Sequence, residues 1–149
     1  MSRIVEVDLD WNGAVRHVGS MRIGPSGRGG EVVSFQYSNA WLSSPEYFPL
    51  QTSLDGPGEF YPEKGQGMFG CFGDSAPDRW GRTLIRLAAK KNAAAPAPRL
   101  HESDFLLAVG DFLRQGALRF RDPESGAYLS AADEGVPKLV HLGGLFVCV

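Results

Sequence analysis

The feature that most constrains the fold is a period-two alternation near the N terminus that ends in a tight-turn dipeptide. From position 5 to position 11 hydrophobic and acidic residues alternate, in the order Val5, Glu6, Val7, Asp8, Leu9, Asp10 and Trp11. This alternation predicts a strand with one buried face and one acidic, solvated face. Asn12-Gly13 follows at once, and this dipeptide favours the positive backbone angles of a tight hairpin. A second antiparallel strand is therefore predicted over residues 14–23.

A third strand and a long aromatic segment follow this hairpin. Residues 24–30 are glycine-rich and predict a flexible connection, after which the alternation resumes over residues 31–37. Residues 38–70 are rich in aromatics, proline and glycine but have no sustained helical period. Disordered segments are poor in aromatic residues, so we expect this segment to be an ordered loop that packs over the sheet.

The stretch F-G-D-S-A-P-D-R-W-G-R at residues 72–82 could be an active-site loop or the start of a helix. Ser75 and Asp78 are three residues apart, which is the spacing of a capping side chain and a first-turn acid. Pro77 is tolerated in the first turn of a helix. Helix capping therefore explains Ser75 and Asp78 better than catalysis does, and it also explains Asp74 and Asp78 better than a pair of catalytic carboxylates.

The predicted helix runs to about Lys91 and carries two stripes of opposite character. Its buried stripe is predicted to consist of Trp80, Leu84, Leu87 and Ala88. Trp80 is interpreted as a core anchor, so that Trp80→Ala would cost about 3–5 kcal/mol. Basic residues recur on the opposite face, and together with Trp80 they form the predicted interface: Arg79, Arg82, Arg86 and Lys90. A solvated helix face is the favoured reading of the basic stripe, with phosphate or an acidic partner as the alternative.

The remaining elements complete an α+β prediction. Ser103 resembles a second helix cap, for a helix through residues 104–109 that Gly110 can end. A strand over residues 117–121 and a hairpin at residues 123–126 follow. The predicted fold is α+β, a mainly antiparallel sheet with helices packed on one side.

Composition and motifs argue against several functions. The formal charge of −2 and the pI of about 5.9 predict no general attraction to nucleic acid or to anionic membrane. Cys71 and Cys148 are far apart without C-x-x-C spacing, and there is no signal-peptide core, so we expect a cytoplasmic protein. The apolar tract at residues 139–149 is too short to span a bilayer.

No catalytic or metal-binding motif is apparent. The glycines of residues 24–30 are not followed by the G-K-[ST] of a phosphate loop, and no G-x-S-x-G is present. His17, His101 and His141 are scattered, which makes a metal site improbable. The sequence therefore predicts no catalytic residue, no cofactor and no metal, and the chain is not expected to be an enzyme by itself.

Six blocks resemble the N-terminal subdomain of HipA-type toxin kinases in order and spacing, over roughly residues 4 to 130. They are F-x-Y at 35–37, Trp41-Leu42, F-P-L at 48–50, residues 72–82, S-D-F-L-L at 103–107, and Q-G-A-L-R-F at 115–120. The resemblance implies a small α+β unit, residues 1–130, stacked on the core of an ATP- and Mg²⁺-dependent serine/threonine kinase. It also implies a HipB-type DNA-binding antitoxin as a partner of the whole toxin.

The chain departs from this family beyond residue 130. The kinase core that carries the catalytic and metal-binding residues of the family is missing, so no catalytic role can be transferred. Residues 131–149 fit the family poorly and are interpreted as an atypical tail. A fragment, a truncated or frameshifted gene product and a natural short protein all remain open.

Two main hypotheses follow from this resemblance. In the first, the chain is a non-catalytic subdomain that packs on a kinase core in cis or contacts the antitoxin. In the second, it is a free-standing HipS-like protein that binds and neutralises a separate HipA-type kinase in trans. A nucleic-acid binder that uses the basic helix is a third and weaker interpretation.

Overall fold

A computed structural model of the chain describes residues 1–93, 95–96, 99–111 and 114–129. Along the chain, the elements are β1 (Arg3–Trp11), β2 (Ala14–Pro25), β3 (Glu31–Tyr37), α1 (Asn39–Leu42), β4 (Glu59–Phe60), α2 (Gly70–Gly73), α3 (Arg79–Asn92), α4 (Glu102–Ala108) and β5 (Leu118–Arg121). The strands form one antiparallel sheet in the order β4-β3-β2-β1-β5. The predicted α+β class is confirmed, whereas the atypical tail at residues 131–149 lies outside the described residues.

The N-terminal hairpin forms where the sequence predicts it. Asn12 and Gly13 both have positive φ, 52° and 77°, as a two-residue turn between twisted strands requires. A β-bulge interrupts the register, because Val7 pairs with Gly19 whereas Asp8 pairs with His17. The bulge leaves Val18 as the extra residue of β2, where it is fully buried.

The hydrophobic core lies between one face of the sheet and the segments that follow β3. Strand residues in this core include Val5, Val7, Met21, Phe35 and Phe120. The covering segments contribute Trp41, Leu54, Phe69, Phe72 and Leu106. The prediction that the aromatic segment packs over the sheet is therefore correct, although it did not include α1, β4 or α2.

The two longer helices begin with caps that differ from the predicted ones. Asp78 is the N-cap of α3, since its carboxylate accepts a hydrogen bond of 2.8 Å from the Gly81 N–H. Ser75 is instead buried before the helix, and Pro77 precedes the cap rather than lying in the first turn. Both predictions about Ser75 and Pro77 are wrong, because the chain uses Asp78 itself as the cap. The predicted end near Lys91 is one residue short of the observed Asn92.

Ser103 is also not a cap. Helix α4 begins at Glu102, after His101, whose backbone N–H donates to the Asp104 carboxylate at 2.7 Å. Ser103 lies in the first turn, where its backbone N–H donates at 3.0 Å to the Glu31 carboxylate and its hydroxyl donates to the same group. The serine therefore ties α4 to the start of β3.

Candidate functional site

Helix α3 presents its apolar stripe to solvent. The exposed fractions of Trp80, Leu84 and Leu87 are 67%, 39% and 50%, and no residue of α3 is buried. These three residues have i, i+4 and i+7 spacing, so they lie along one face of the helix. The prediction that this stripe, with Ala88, faces the core is therefore wrong.

The other side of α3 contacts the domain through guanidinium groups. Arg82 donates two hydrogen bonds to the Glu102 carboxylate, each 2.9 Å long. The guanidinium carbons of Arg82 and Arg86 each lie 4.9 Å from the centre of the Phe105 ring in α4. Because these contacts hold the basic side against α4, the apolar stripe points away from the domain.

The ion pair between Arg82 and Glu102 shifts the pKa of both groups in the direction that favours their charged forms. Its hydrogen bonds lower the pKa of Glu102 and raise the pKa of Arg82. The Arg82 side chain is a quarter exposed and that of Glu102 is more exposed still, so solvent weakens the attraction. A pair in this setting contributes up to about 1 kcal/mol, enough to orient a helix but not to anchor it alone.

The structure divides the predicted interface into two groups. Arg82 and Arg86 lie over Phe105, although Arg86 is still exposed, and Arg79 and Lys90 are exposed together with Trp80. Leu84 and Leu87 belong to the accessible surface although the sequence pattern assigned them to the core. Hydrophobic periodicity identifies the stripe but does not show whether it packs on the core of its own domain or on a partner. The sequence therefore held no signal that Leu84 and Leu87 are exposed. We refer to Trp80, Leu84 and Leu87 below as the α3 stripe.

The stretch at residues 72–82 is a helix start in this structure. Phe72 is fully buried, Asp78 caps α3, and Trp80 projects outward two residues later. Gly81 lies so close to the preceding turn that a Cβ there would be 2.8 Å from the Cβ of Pro77. Along the chain, this segment therefore runs from a buried core residue, Phe72, to the first residue of the α3 stripe, Trp80.

A second polar cluster surrounds Asp8, on the sheet face opposite the core. Asp8 is 3% exposed, although its strand pattern predicted a solvated side chain. It contacts Nδ1 of His17 at 3.0 Å and accepts hydrogen bonds from Nε of Arg121 at 3.0 Å and from the Tyr128 hydroxyl at 3.3 Å. His17 also lies 3.0 Å from Glu6. The sequence could not reveal this cluster, because Arg121 and Tyr128 come from more than a hundred residues away.

The Asp8 cluster gives a pH-dependent prediction. Burial raises the pKa of Asp8, but hydrogen bonds from Arg121 and His17 outweigh burial and leave it below its usual 3.8. A lowered carboxyl pKa adds stability above the unfolded value, and this stability is lost as the pH falls through the folded value. Asp8→Asn is therefore expected to cost about 2 kcal/mol at neutral pH.

This cost should shrink as the pH falls below the unfolded-state pKa of about 3.9 and then through the lower pKa of the folded state, where the native carboxyl also becomes protonated. Urea unfolding of both proteins between neutral and acid pH measures the difference. Asp55→Asn is a suitable control, because Asp55 is an exposed carboxylate outside the cluster. A difference between Asp8→Asn and wild type that stays constant down to the most acid condition would contradict the prediction.

Within the described part of the chain, the cysteine and the histidines do not form a reactive or metal-binding cluster. Burial raises the pKa of the Cys71 thiol to about 11, so the thiolate is scarce at neutral pH. Among the described residues, no group of three or more histidine, cysteine or acidic side chains is arranged to hold a metal ion. His17 and His101 lie in separate hydrogen-bonded settings, and His141 is outside the described residues.

Comparison with known proteins adds no family assignment. No protein-family model matches the chain, and no curated protein matches it significantly. Within the described residues, none of the helices has the length and apolar character needed to cross a bilayer. Among the described residues, the α3 stripe with its flanking cations is the best candidate for a functional surface.

Proposed function

We propose that the chain is a non-catalytic interaction subdomain of a HipA-like serine/threonine kinase and binds the kinase core through the α3 stripe. The observation that carries this proposal is the exposure of Trp80, Leu84 and Leu87 on a helix that has no buried residue of its own. Contiguous exposed apolar residues mark binding surfaces in soluble domains. The partner would be the kinase core, in cis or in trans.

The geometry of the stripe suits a helix-in-groove interface. Anchors at i, i+4 and i+7 can enter a hydrophobic groove together. Tryptophan is enriched among the residues that dominate binding energy, and Trp80 is the most exposed of the three. Trp80 also lies in the block at 72–82 that resembles the HipA-type subdomain, so the sequence resemblance and the exposed surface coincide at this residue. A HipB-type antitoxin would then bind the assembled toxin.

A free-standing HipS-like protein that binds a separate kinase is the second candidate. One observation favours it: no residue of α3 belongs to the main hydrophobic cluster of the described residues, and the apolar stripe of α3 is exposed. A domain that folds without its stripe can exist alone and offer that stripe to a partner. The genes adjoining this one distinguish the two candidates, since an intact separate kinase gene supports the second.

Replacement of Trp80 tests the proposed interface. Trp80→Ala is expected to change the free energy of unfolding by less than about 0.5 kcal/mol, because the side chain is exposed. The same change should weaken binding to a HipA-type kinase core from the same genome roughly thirtyfold, or about 2 kcal/mol. Urea unfolding and isothermal titration calorimetry measure the two effects.

Tyr61→Ala is the matched control, because Tyr61 is 59% exposed and lies outside α3. It should bind the kinase core as tightly as wild type does. The proposal fails if the wild-type chain does not bind the kinase core, or if Trp80→Ala binds it with unchanged affinity.

A further inference from the structure

Helix α3 carries an excess of positive charge around its apolar stripe. Its sequence, RWGRTLIRLAAKKN, contains five basic residues and no acidic one. Arg82 is the one of these that forms an ion pair with a carboxylate of the described chain. Arg79, Arg86, Lys90 and Lys91 are all exposed. A partner that covers the stripe therefore meets exposed cations that form no ion pair with a carboxylate of the described residues.

These cations are distributed unevenly about the stripe. At about 100° per residue, Arg79, Arg86 and Lys90 fall on one flank, and Lys91 continues the stripe beyond Leu87. Small residues, Gly81 and Ala88, occupy the opposite flank. Two exposed carboxylates, Asp74 and Asp78, lie at the Trp80 end. The surface thus has charges of both signs near Trp80, where Asp78 adjoins Arg79, and only positive charges along one flank and at its C-terminal end.

We infer that the α3 stripe docks into an apolar cleft of a protein, and that carboxylates line the rim of this cleft. These carboxylates would be most numerous where the cleft receives Lys90 and Lys91. This inference rests on the proposed function, in which the occupant is a kinase core, and adds the chemistry of its receiving surface. The cations would contribute orientation and association rate, and the apolar stripe would contribute most of the affinity.

Three other occupants fit this surface less well. A second copy could pair Lys90 and Lys91 with Asp78 in an antiparallel arrangement, but Arg79 and Arg86 would meet no carboxylate, because α3 contains no acidic residue. An anionic membrane would repel the exposed Asp78 carboxylate at the start of α3, two residues before Trp80. Duplex nucleic acid would leave the apolar stripe in water, since its surface offers phosphates rather than an apolar groove.

Salt and charge variants, measured against the kinase core, test the inference. The double variant Arg79→Glu/Lys90→Gln removes cations without placing an acid at the helix C terminus, where it would oppose the helix dipole. At low salt this variant should bind about tenfold more weakly than wild type, and at about 0.5 M NaCl the difference should largely vanish. Trp80→Ala should lose a similar factor at both salt concentrations, because its contribution is apolar.

Lys64→Glu is the control, since Lys64 is exposed and lies outside α3. If the kinase core binds wild type and the double variant equally at low salt, the inference is overturned while the proposed function stands. If the kinase core binds neither, both are overturned. Tighter binding to phosphatidylserine vesicles or duplex DNA than to the kinase core, or a dimer in light scattering that Trp80→Ala abolishes, would assign a different occupant and overturn the inference.

Discussion

Phe72→Ala is expected to lower the free energy of unfolding by about 3–5 kcal/mol, the usual cost of emptying a buried aromatic site. Phe72 is fully buried, and its ring packs edge-on against three other aromatic rings. The ring centroids lie 5.2 Å away for Phe35, 5.5 Å for Phe69 and 6.0 Å for Phe120. Removal of the Phe72 ring therefore leaves a cavity where the sheet meets the covering segments.

Since domains are stable by only about 5–15 kcal/mol, a loss of this size would leave a marginal fold. Urea unfolding followed by circular dichroism measures it, and Phe72→Leu should recover more than half of the loss because it refills most of the volume. Trp80→Ala, in the same stretch of sequence, is the matched comparison and should unfold as wild type does. If Phe72→Ala and Trp80→Ala were equally stable, the assignment of core and surface in this stretch would be wrong.

Gly19→Ala should be nearly as damaging, with an expected loss of about 3 kcal/mol from overpacking. Gly19 lies in β2 beside the β-bulge and pairs with Tyr37 of β3. A Cβ at Gly19 would overlap the carbonyl oxygen of Gln36 and would lie 2.8 Å from Cζ of Phe35. The backbone oxygen cannot rotate away as a side chain could, so β2 and β3 would have to separate.

The measurement is again urea unfolding, with Gly27→Ala as the control. A Cβ at Gly27 would meet no atom within 4 Å, and this glycine lies in the connection between β2 and β3. We expect Gly27→Ala to change stability by less than about 0.5 kcal/mol. A Gly19→Ala protein with wild-type stability would show that the strands can shift freely at the bulge, contrary to the packing around Phe35.

The regular strands could be predicted from local sequence. The alternation from Val5 to Trp11, the Asn12-Gly13 turn and the strand at Glu31–Tyr37 each express a period or a backbone preference within a few residues. The β-bulge beside Gly19 was not predicted, because its pairing depends on which residues of two strands lie opposite each other. The cap of α3 was assigned to the wrong residue because both Ser75 and Asp78 are good capping residues, and the sequence does not show which of them begins the helix.

The candidate site was predicted only in part. Trp80, Arg79 and Lys90 were assigned to an interface, and the structure exposes all three. The same prediction also treated Trp80 as a core anchor and assigned Leu84 and Leu87 to the core. It placed Arg82 on an exposed basic face, yet the Arg82 guanidinium lies over Phe105 and binds Glu102, twenty residues away in the sequence.

By itself, the amino-acid sequence determined β1, β2, β3 and β5, the tight turn and the amphipathic character of α3, because each depends on residues that are close together in the sequence. Only the tertiary structure decided which side of α3 faces the domain and that Asp8 is buried. Those outcomes depend on contacts with Phe105, Glu102, Arg121 and Tyr128, which are distant in sequence. A helix with one apolar and one basic side can pack either way, and Phe105 and Glu102 favour the guanidinium side.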